Sequence, residues 1–304
     1  MNGVIIYGGA GFVGSALVKN LCEKKIPVAV IEKSGILGTL AYKRIENLPI
    51  EFIECDLENV DKLPKLVKQG VYDTFYQFAW NGLTGPELLD CNIQLNNVSL
   101  ILESIKIAKK IGCKRFIGAG SVTQNEIFST EGRLYQKDRH RYYRVAQMAC
   151  ELFGRSKAYE ENIDFFWPRI INIYGPGETN PRLINNVITK LLDGEKIELS
   201  EGNQMYDFLY ISDAAEAFYL IGKKGNPRVE YMIGSGNIKP LRDYLLEVKK
   251  IVNPEGIMQF GAIHFTGIYM QPEQLSIAEL SNLGFVPQVT FKNGIKNLLN
   301  EKRK

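Results

Sequence analysis

One stretch of the sequence decides the fold: Tyr7-Gly8-Gly9-Ala10-Gly11-Phe12-Val13-Gly14. It follows a short apolar run, Val4–Tyr7, and it leads into an amphipathic segment. Glycines at three-residue spacing in such a turn let the backbone bend sharply, approach a pyrophosphate and pack a helix closely on a strand. The N-terminus of that helix offers free N–H groups and a positive dipole to the phosphates. The stretch therefore predicts a strand, a phosphate-binding turn and a helix, as at the start of a dinucleotide-binding domain.

A carboxylate that follows Gly8 by 24 residues supports the same interpretation. Glu32 ends the second predicted strand, where an acidic side chain would accept hydrogen bonds from the adenosine ribose. Its charge would repel a 2′-phosphate, so Glu32 favours NAD as the cofactor. Lys33 follows directly and could pair with that phosphate, so NADP stays possible. The alternatives are a plain structural turn at the glycines and a solvated Glu-Lys pair at a strand end.

Short apolar runs alternate with longer helical segments through the first half of the chain. Apolar residues in the two longest segments recur at three and four positions, as on a half-buried helix. Because parallel strands need crossover connections, this alternation predicts an α/β fold with a parallel, doubly wound sheet. The predicted strands are Val4–Tyr7, Pro27–Ile31, Ile50–Glu54, Thr74–Phe78, Arg115–Ala119 and Ile163–Pro168. The predicted helices are Gly14–Lys24, Val60–Gln69, Leu95–Ile111 and Tyr143–Glu161.

The alternation of short apolar runs and longer helical segments ends after the stretch Tyr174-Gly175-Pro176-Gly177. A loop rich in Gly, Pro and Asn follows it, and shorter elements occupy the rest of the chain. We expect a Rossmann domain that comprises residues 1–175 and about 206–235, and a small, discontinuous C-terminal substrate-binding lobe of residues 176–205 and 236–304. The elements predicted here are the helices Leu183–Leu192, Ala214–Ile221 and Leu241–Val252 and the strands Phe208–Ile211 and Glu230–Ile233.

Composition and charge narrow the class of protein. The 304 residues are 45% hydrophobic, which suits a folded core and not a disordered chain. Lys and Arg number 37 against 34 Asp and Glu, so no strong field favours nucleic acid or an anionic membrane as a partner. The five cysteines are scattered, and His140 and His264 stand apart, so we expect neither a disulfide framework nor a metal site. No signal peptide or membrane-spanning stretch is evident, so we expect a soluble cytoplasmic protein.

Six further segments follow one another in the order and spacing of a known family. They are Glu54–Leu57, Phe78–Trp80, Phe116–Ser121, Arg169–Gly177, Asp207–Ala214 and Leu283–Pro287. Together with the glycine-rich turn, they resemble the extended short-chain dehydrogenase/reductase family, in its NAD-dependent nucleotide-sugar epimerase, dehydratase and ketoreductase branch. The resemblance runs through nearly the whole chain, and it implies a nucleotide sugar as the substrate.

The resemblance implies a catalytic tyrosine on a long helix. The family's YxxxK motif is matched here by Tyr143-Arg144-Val145-Ala146-Gln147. Tyr143 would exchange a proton with the sugar oxygen while the nicotinamide exchanges a hydride, and the Ser121 hydroxyl would hold the same oxygen. The family's lysine, which bonds the nicotinamide ribose and favours the tyrosinate, is Gln147 here. Gln147 keeps ribose hydrogen bonds but brings no charge, and a free tyrosine with a pKa of about 10 is a poor base at neutral pH.

Neighbouring residues leave alternatives open at this position. Tyr142 competes with Tyr143 as the base, although that register would put Ala146 at the lysine position. Arg141 and Arg144 are the nearest cations that could replace the lysine, but Arg144 directly follows Tyr143 and should face another side of the helix. An inherited but idle site, or a tyrosine that only packs, is the alternative to catalysis.

The resemblance also implies which residues bind the ligands. The cofactor-binding residues would be Gly8, Gly11, Phe12, Val13, Gly14, Glu32, Lys33, Asp56, Leu57, Phe78, Ala79, Trp80, Ala119, Tyr143, Gln147 and Ile170. The substrate-binding residues would be Trp80, Ser121, Thr123, Asn172, Arg182 and Tyr206. For Asn172 and Arg182, contact with the phosphates of a sugar nucleotide competes with a purely structural role in a loop.

Departures from the family pattern narrow the reaction. Dehydratases of the family carry an Asp–Glu pair directly after the catalytic Thr, whereas Val122-Thr123 stands here, so dehydration is not expected. Tyr206 replaces an Arg that often grips the diphosphate, and Gln94 replaces a usual Asn. With Trp80-Asn81-Gly82, these features resemble deoxysugar 4-ketoreductases and epimerases of surface-polysaccharide pathways. We expect an NAD(P)-dependent enzyme of that kind. The alternative is a catalytically weak dinucleotide-binding protein that acts as a sensor or partner subunit.

The resemblance further implies a homodimer. In the family, the helices that correspond to Leu95–Ile111 and Tyr143–Glu161 pair across a two-fold axis into a four-helix bundle. Outward apolar side chains on these helices would need cover from a second copy. The candidates are Leu100, Ile101, Ile105, Val145, Met148 and Leu152.

Overall fold

The computed structural model describes residues 1–128, 140–265, 267 and 269–302. The chain divides into two compact units: Met1–Ile170 with Ala215–Tyr231, and Ile171–Ala214 with Met232–Lys304. The expected bounds, 1–175 with about 206–235, differ from these at each end. The strands Ile173–Tyr174 and Leu209–Tyr210 pair with each other in parallel, and both belong to the second unit.

A parallel sheet forms the centre of the first unit. Its strands are β1 (Val4–Tyr7), β2 (Val28–Glu32), β3 (Glu51–Glu54), β4 (Thr74–Gln77), β5 (Arg115–Gly118) and β7 (Asp164–Phe166), with the short β6 (Gly120–Ser121) and β8 (Arg169–Ile170) beside them in sequence. The order across the sheet is β3-β2-β1-β4-β5-β7. This order reverses between β1 and β4, which is where sheets of this type bind a dinucleotide. The predicted α/β fold with a parallel, doubly wound sheet is confirmed.

The helices of the first unit lie between these strands in sequence. They are α1 (Phe12–Glu23), α2 (Leu63–Leu66), α3 (Cys91–Ile111) and α4 (Arg141–Glu161), with 3-10 helices over Tyr42–Arg44, Leu57–Lys62, Pro86–Leu89 and Val122–Phe128. Every residue of β1 and β2 is buried, as in a sheet covered on both faces. The rings of Phe75, Phe116, Phe165 and Trp167 stack in succession across the core, with centroids 5.5 to 5.9 Å apart.

The helix predicted over Val60–Gln69 does not form as one element. The segment is a 3-10 helix that ends at Lys62, followed by the single turn of α2. Asn59 has non-helical dihedral angles, and Pro64 lacks the N–H that a continuous helix would use. Val67 is extended, so the chain leaves the helix before Gln69.

The long helices α3 and α4 pack on each other, and the structure shows which of their six apolar candidates face outward. Ile101, Ile105 and Met148 are buried within the protomer, so they are not among the outward members. The large apolar side chains of these helices that do face solvent are Leu95, Val145, Leu152, Phe153 and Tyr159.

The second unit is built from shorter elements. Its strands are β9 (Ile173–Tyr174), β10 (Ile197–Leu199), β11 (Met205–Tyr206), β12 (Leu209–Tyr210), β13 (Met232–Ile233), β14 (Lys239–Pro240) and β15 (Met258–Phe260). Its helices are α5 (Leu183–Leu192), α7 (Leu241–Val252), α8 (Ala278–Asn282) and α9 (Phe291–Lys302), and α6 (Ile211–Lys224) continues from this unit into the first. Phe208, Tyr244 and Phe291 form its aromatic core, with centroids 4.6 to 5.6 Å apart.

A buried carboxylate organises one loop of the second unit. Asp207 accepts hydrogen bonds from the Ser235 hydroxyl and from the N–H of Gly236, the latter at 2.8 Å. Burial raises the pKa of Asp207, whereas these donors lower it. Within the described part of the chain, no helix is both long and apolar enough to cross a membrane.

Candidate active site

The glycine-rich turn has the geometry that its sequence predicts. Gly8 has a φ of +85°, and a Cβ there would lie 2.6 Å from the backbone nitrogen of Ala79. A Cβ on Gly14 would lie 2.1 Å from the Gly8 oxygen, so neither position admits a side chain. Helix α1 begins at Phe12 with Gly11 as its N-cap, and its first turn carries no acidic side chain. The helix therefore presents N–H groups that an anion can accept.

Glu32 lies beside this turn at the end of β2. Its side chain is only 7% exposed, and its carboxylate accepts the N–H of Ala10 from within the turn. Burial raises the pKa of Glu32, while the Ala10 N–H and the Lys33 charge lower it. Lys33 is exposed. The turn has a further contact that the sequence did not reveal, because Arg44 donates from Nη1 to the Ala10 oxygen at 2.9 Å.

The loop after β2 is held by a second carboxylate. Asp56 accepts hydrogen bonds from both the N–H and the hydroxyl of Ser34, each at 3.0 Å. Leu57 is buried in the core next to it. The family resemblance implies that Asp56 and Leu57 bind the cofactor, and in the structure their recorded contacts are with the protein itself.

Trp80 lies at the end of β4 and contacts Tyr143. The two rings meet edge to face, with centroids 5.6 Å apart and an interplanar angle of 75°. Gln94 of α3, which is 1% exposed, accepts the indole N–H of Trp80 at 3.0 Å and donates to the Gly82 oxygen at 2.9 Å. Asn97 holds the same loop in place, because its Oδ1 accepts the N–H of Asn81 and its Nδ2 donates to the backbone oxygen of Asn81. Helix α3 thus fixes the indole against the candidate base.

Tyr143 is favoured over Tyr142 by its neighbours. The Tyr143 ring faces Trp80, whereas the Tyr142 ring lies under the guanidinium of Arg141 at 4.6 Å. Arg144 is buried and forms an ion pair with Glu126 at 2.7 Å. The two arginines considered as replacements for the lysine thus have recorded partners other than Tyr143.

Ser121 forms a hydroxyl pair with Thr123. Their oxygens are 2.9 Å apart, and the Thr123 N–H also donates to Ser121 Oγ at 3.3 Å. The N–H of Ser121 donates to Gln124 Oε1 at 2.9 Å, and Gln124 Nε2 donates to Glu151 Oε2 at 2.7 Å. Gln124 therefore bridges the candidate serine and helix α4.

Glu151 is the centre of a buried charge cluster. It is 2% exposed, and its two carboxylate oxygens accept hydrogen bonds from Arg155 and Arg169, each at 2.9 Å. Arg169 also donates to Asn125 Oδ1 at 2.8 Å. No binding or structural role was predicted for Glu151 from the sequence. An acidic residue four positions after Gln147, on a buried helix face, was the available signal that a cation must lie opposite it.

Gln147 lies one helical turn after Tyr143 and one turn before Glu151. Its side chain is 2% exposed, and its Oε1 has no hydrogen-bond partner among the residues that the structure describes. A buried acceptor in this state suits a ligand that brings a donor.

Most of the remaining first-unit positions are partly exposed, and their contacts with a cofactor stay predictions. Ser121 pairs with Ile170 across β6 and β8, and Ala119 comes directly before β6. Partly exposed positions among the expected contacts are Phe12, Val13, Phe78, Ala79, Trp80, Ala119 and Ile170.

Three of the expected substrate contacts belong to the second unit. Asn172 donates to the Asp207 oxygen at 3.3 Å, and Tyr206 packs against Phe208 with centroids 5.6 Å apart. Arg182 forms an ion pair with Glu178 at 2.9 Å while its own side chain stays 58% exposed. Each of these contacts lies within the second unit, so the roles of the three residues in substrate binding stay predictions.

Comparison with known proteins identifies the family. A model of the NAD dependent epimerase/dehydratase family matches residues 4–234. The chain belongs to this family. Two curated relatives match almost end to end: CDP-abequose synthase of Salmonella typhimurium, 25% identical over 97% of each chain, and a putative UDP-glucose 4-epimerase of Methanocaldococcus jannaschii, 24% identical over 98% of this chain and 97% of that one.

Solved structures share the fold. The dTDP-glucose 4,6-dehydratase from Bacillus anthracis in complex with NAD has a TM-score of 0.80 at 18% identity, covering 100% of this chain and 97% of that one. The UDP-N-acetylglucosamine 4-epimerase from Methanobrevibacter ruminantium has a TM-score of 0.79 at 19% identity, covering 99% of each chain. The family predicted from the sequence is confirmed, and so is NAD as the cofactor after which the family is named.

Proposed function

We propose that this protein uses NAD to act on a nucleoside-diphosphate sugar, as a 4-ketoreductase or an epimerase. The observation that carries the proposal is the bridge through Gln124, which ties the backbone of Ser121 to Glu151 on the helix that bears Tyr143 and Gln147. A proton-exchanging phenol and an orienting hydroxyl are thereby held on one framework. The names of the relatives, which specify CDP-linked and UDP-linked sugars, support the substrate class.

Residues of the first unit fit NAD. The glycine-rich turn and the N-terminus of α1 would hold the pyrophosphate, and Glu32 would accept the adenosine ribose hydroxyls. The unpartnered Oε1 of Gln147 would accept a hydroxyl of the nicotinamide ribose. When bound, the nicotinamide supplies or accepts the hydride.

The side chains then divide the proton chemistry between them. In reduction, the Tyr143 hydroxyl gives its proton to the sugar oxygen as the carbonyl carbon is reduced. In oxidation, the tyrosinate removes that proton. Ser121 Oγ would donate to the same oxygen when the Thr123 hydroxyl is the donor in their 2.9 Å pair, because Ser121 Oγ then only accepts from Thr123 and keeps its own proton for the sugar. The edge of Trp80 restricts where the sugar ring can lie beside Tyr143.

Dehydration fits these residues less well than reduction or epimerisation. Elimination of water needs an acid and a base near the sugar, and Val122 and Thr123 supply neither. The nearest carboxylate in the same 3-10 helix, Glu126, is paired with the buried Arg144 at 2.7 Å. Using Glu126 as an acid would leave the Arg144 charge buried without its partner.

The proposal is tested by screening sugar nucleotides and their 4-keto forms for hydride transfer, with CDP-linked and UDP-linked sugars in separate arms. Mass spectrometry of the purified protein distinguishes the two reactions: retained NAD indicates an epimerase, which recycles its hydride, and a freely exchanging cofactor indicates a reductase. If no sugar nucleotide is turned over while NAD still binds, the partner-subunit alternative replaces the enzyme.

Cofactor choice is expected to depend on Glu32. We predict that NAD binds at least about tenfold more tightly than NADP, because a 2′-phosphate would meet the Glu32 carboxylate. Glu32→Ser should narrow or reverse this preference, as measured by calorimetric titration of both cofactors. Lys33→Ala is the matched control, since Lys33 is exposed and should matter only if it holds the phosphate. Tighter binding of NADP by the parent protein would show that Lys33, and not Glu32, decides the preference.

The replacement of the family's lysine by Gln147 is expected to change how the rate depends on pH. Because Gln147 is neutral, the oxidative direction, in which the Tyr143 phenolate removes the proton of the sugar hydroxyl, should be slow at neutral pH and should speed up towards alkaline pH. Gln147→Lys should move the rising limb of the rate profile to lower pH by about 1–3 units, since a nearby positive charge favours the deprotonated phenol. A flat profile between about pH 6 and 9 in both proteins would contradict this assignment.

A homodimer through α3 and α4 is expected from their exposed apolar residues. Leu152 is 60% exposed and Phe153 is 61% exposed, on a helix that the family resemblance places at a two-fold axis. Leu152→Glu should convert a dimer into a monomer in sedimentation at micromolar concentration. Leu246→Glu, at an exposed leucine on α7 of the second unit, is the matched control and should leave the dimer intact. A parent protein that sediments only as a 34.4 kDa species would overturn the expectation.

A further inference from the structure

Gln147 presents a buried acceptor that the protein itself does not satisfy. Its Oε1 lies on the face of α4 that also bears Tyr143 and Glu151, and it has no partner among the described residues. A buried carbonyl without a donor lowers stability until a donor arrives. A lysine ammonium at this position could only donate, whereas the glutamine oxygen can only accept. The oxygen of Gln147 can therefore accept a hydrogen bond from a ligand, which a lysine could not do, and the amide brings no charge.

Among the residues that the structure describes, the arginines around this helix face are paired with carboxylates. Arg144 is paired with Glu126 at 2.7 Å, and Arg155 and Arg169 are both paired with Glu151 at 2.9 Å. Each of these arginines has a carboxylate beside it, so none replaces the positive charge that a lysine would bring. An oxidised nicotinamide carries a positive charge, and a reduced one does not. Because Gln147 is neutral, it does not repel the oxidised nicotinamide as a lysine would, and the affinity for the oxidised form is not reduced in that way.

We propose that Gln147 sets the redox preference of the site, so that oxidised NAD binds at least as tightly as reduced NAD. The inference rests on the proposed function, in which Gln147 faces the nicotinamide ribose. Compared with a lysine at this position, Gln147 favours binding of the oxidised form, which makes the bound reduced form a stronger hydride donor and shifts the site towards reduction of a ketone. In that step the carbonyl carbon gains the hydride with its electron pair, the oxygen gains the Tyr143 proton, and the nicotinamide is oxidised. The tyrosinate then regains a proton from solvent.

The test measures binding without any sugar. Dissociation constants of oxidised and reduced NAD are determined by calorimetry for the parent protein, for Gln147→Lys and for Gln147→Met, with thermal unfolding as a check on folding. Gln147→Lys should weaken binding of oxidised NAD relative to reduced NAD by about tenfold, as expected for one added charge a few ångströms away. Gln147→Met should weaken both forms by the same factor, because it removes the acceptor and adds no charge.

Three results would overturn the proposal. The first is tighter binding of reduced than of oxidised NAD by the parent protein, which needs no variant to fold. The second is a Gln147→Lys protein whose preference between the two forms stays within about twofold of the parent. The third is a Gln147→Met protein that binds both forms as the parent does, which would place the ribose elsewhere. Because no sugar nucleotide is present, failure to find a substrate would count against the proposed function and not against this preference.

Discussion

Tyr143→Phe is expected to lower kcat by about 10²- to 10⁴-fold, the usual contribution of a positioned acid or base. The substitution removes the hydroxyl that exchanges the proton and keeps the ring that meets Trp80 edge to face. Folding and cofactor binding should therefore survive, and the dissociation constant of NAD should change by less than about twofold. The measurement is single-turnover hydride transfer with the substrate found by screening, alongside calorimetric titration of NAD.

Tyr142→Phe is the matched control for this variant. Tyr142 neighbours Tyr143 on the same helix, but its ring lies under Arg141 at 4.6 Å. Its loss should leave kcat within a few-fold of the parent, since it removes a hydroxyl with no assigned part in proton exchange. If Tyr142→Phe abolishes turnover and Tyr143→Phe retains it, the register of the catalytic helix is wrong by one residue.

The first unit could be predicted in detail because its signals are local. The glycine spacing at Gly8 and Gly14 reflects contacts within one turn, where a Cβ would collide with the backbone. Strand β1 has the predicted bounds for the same reason, and so does helix α5 of the second unit, since hydrophobic periodicity is a property of adjacent residues. The segment Val60–Gln69 has an apolar pattern too, but Pro64 has no N–H to donate, so the pattern does not extend into one continuous helix.

The hydrogen bonds that hold the candidate site residues in place could not be predicted, because they join residues far apart in sequence. The bridge from Ser121 through Gln124 to Glu151 spans a turn and a helix, and no periodicity relates its members. Ile101 and Ile105 show the same limit on α3: the sequence marks them as apolar, but only the packing of α3 on α4 decides that they point inward.

The buried cluster around Glu151 predicts a large effect on stability. Glu151→Ala should lower the free energy of unfolding by about 3–5 kcal/mol, because it removes the buried counter-ion of Arg169, leaves it only the exposed Glu230, and leaves Gln124 without its acceptor. The measurement is chemical denaturation followed by circular dichroism. Glu230→Ala is the matched control: Glu230 faces the same arginines, Arg155 and Arg169, at 3.7 and 3.6 Å, but its side chain is 62% exposed. Its loss should cost no more than about 1 kcal/mol, as for other solvent-exposed ion pairs.

Glu151→Ala and Glu230→Ala also distinguish a role of the Glu151 cluster in stability from a role in positioning Ser121. If Gln124 holds Ser121 in place through Glu151, then Glu151→Ala assayed well below its melting temperature should still lower kcat, because the Ser121 N–H has lost the anchored oxygen that it bonds. Gln124→Glu as a single substitution should lower kcat too, since a carboxylate can accept the Ser121 N–H but cannot donate to Glu151. A Glu151→Ala protein that is destabilised yet turns over substrate at the parent rate would confine the cluster to folding. In that case Ser121 must be positioned by its hydroxyl pair with Thr123 alone, and Thr123→Val should then lower kcat where Glu151→Ala does not.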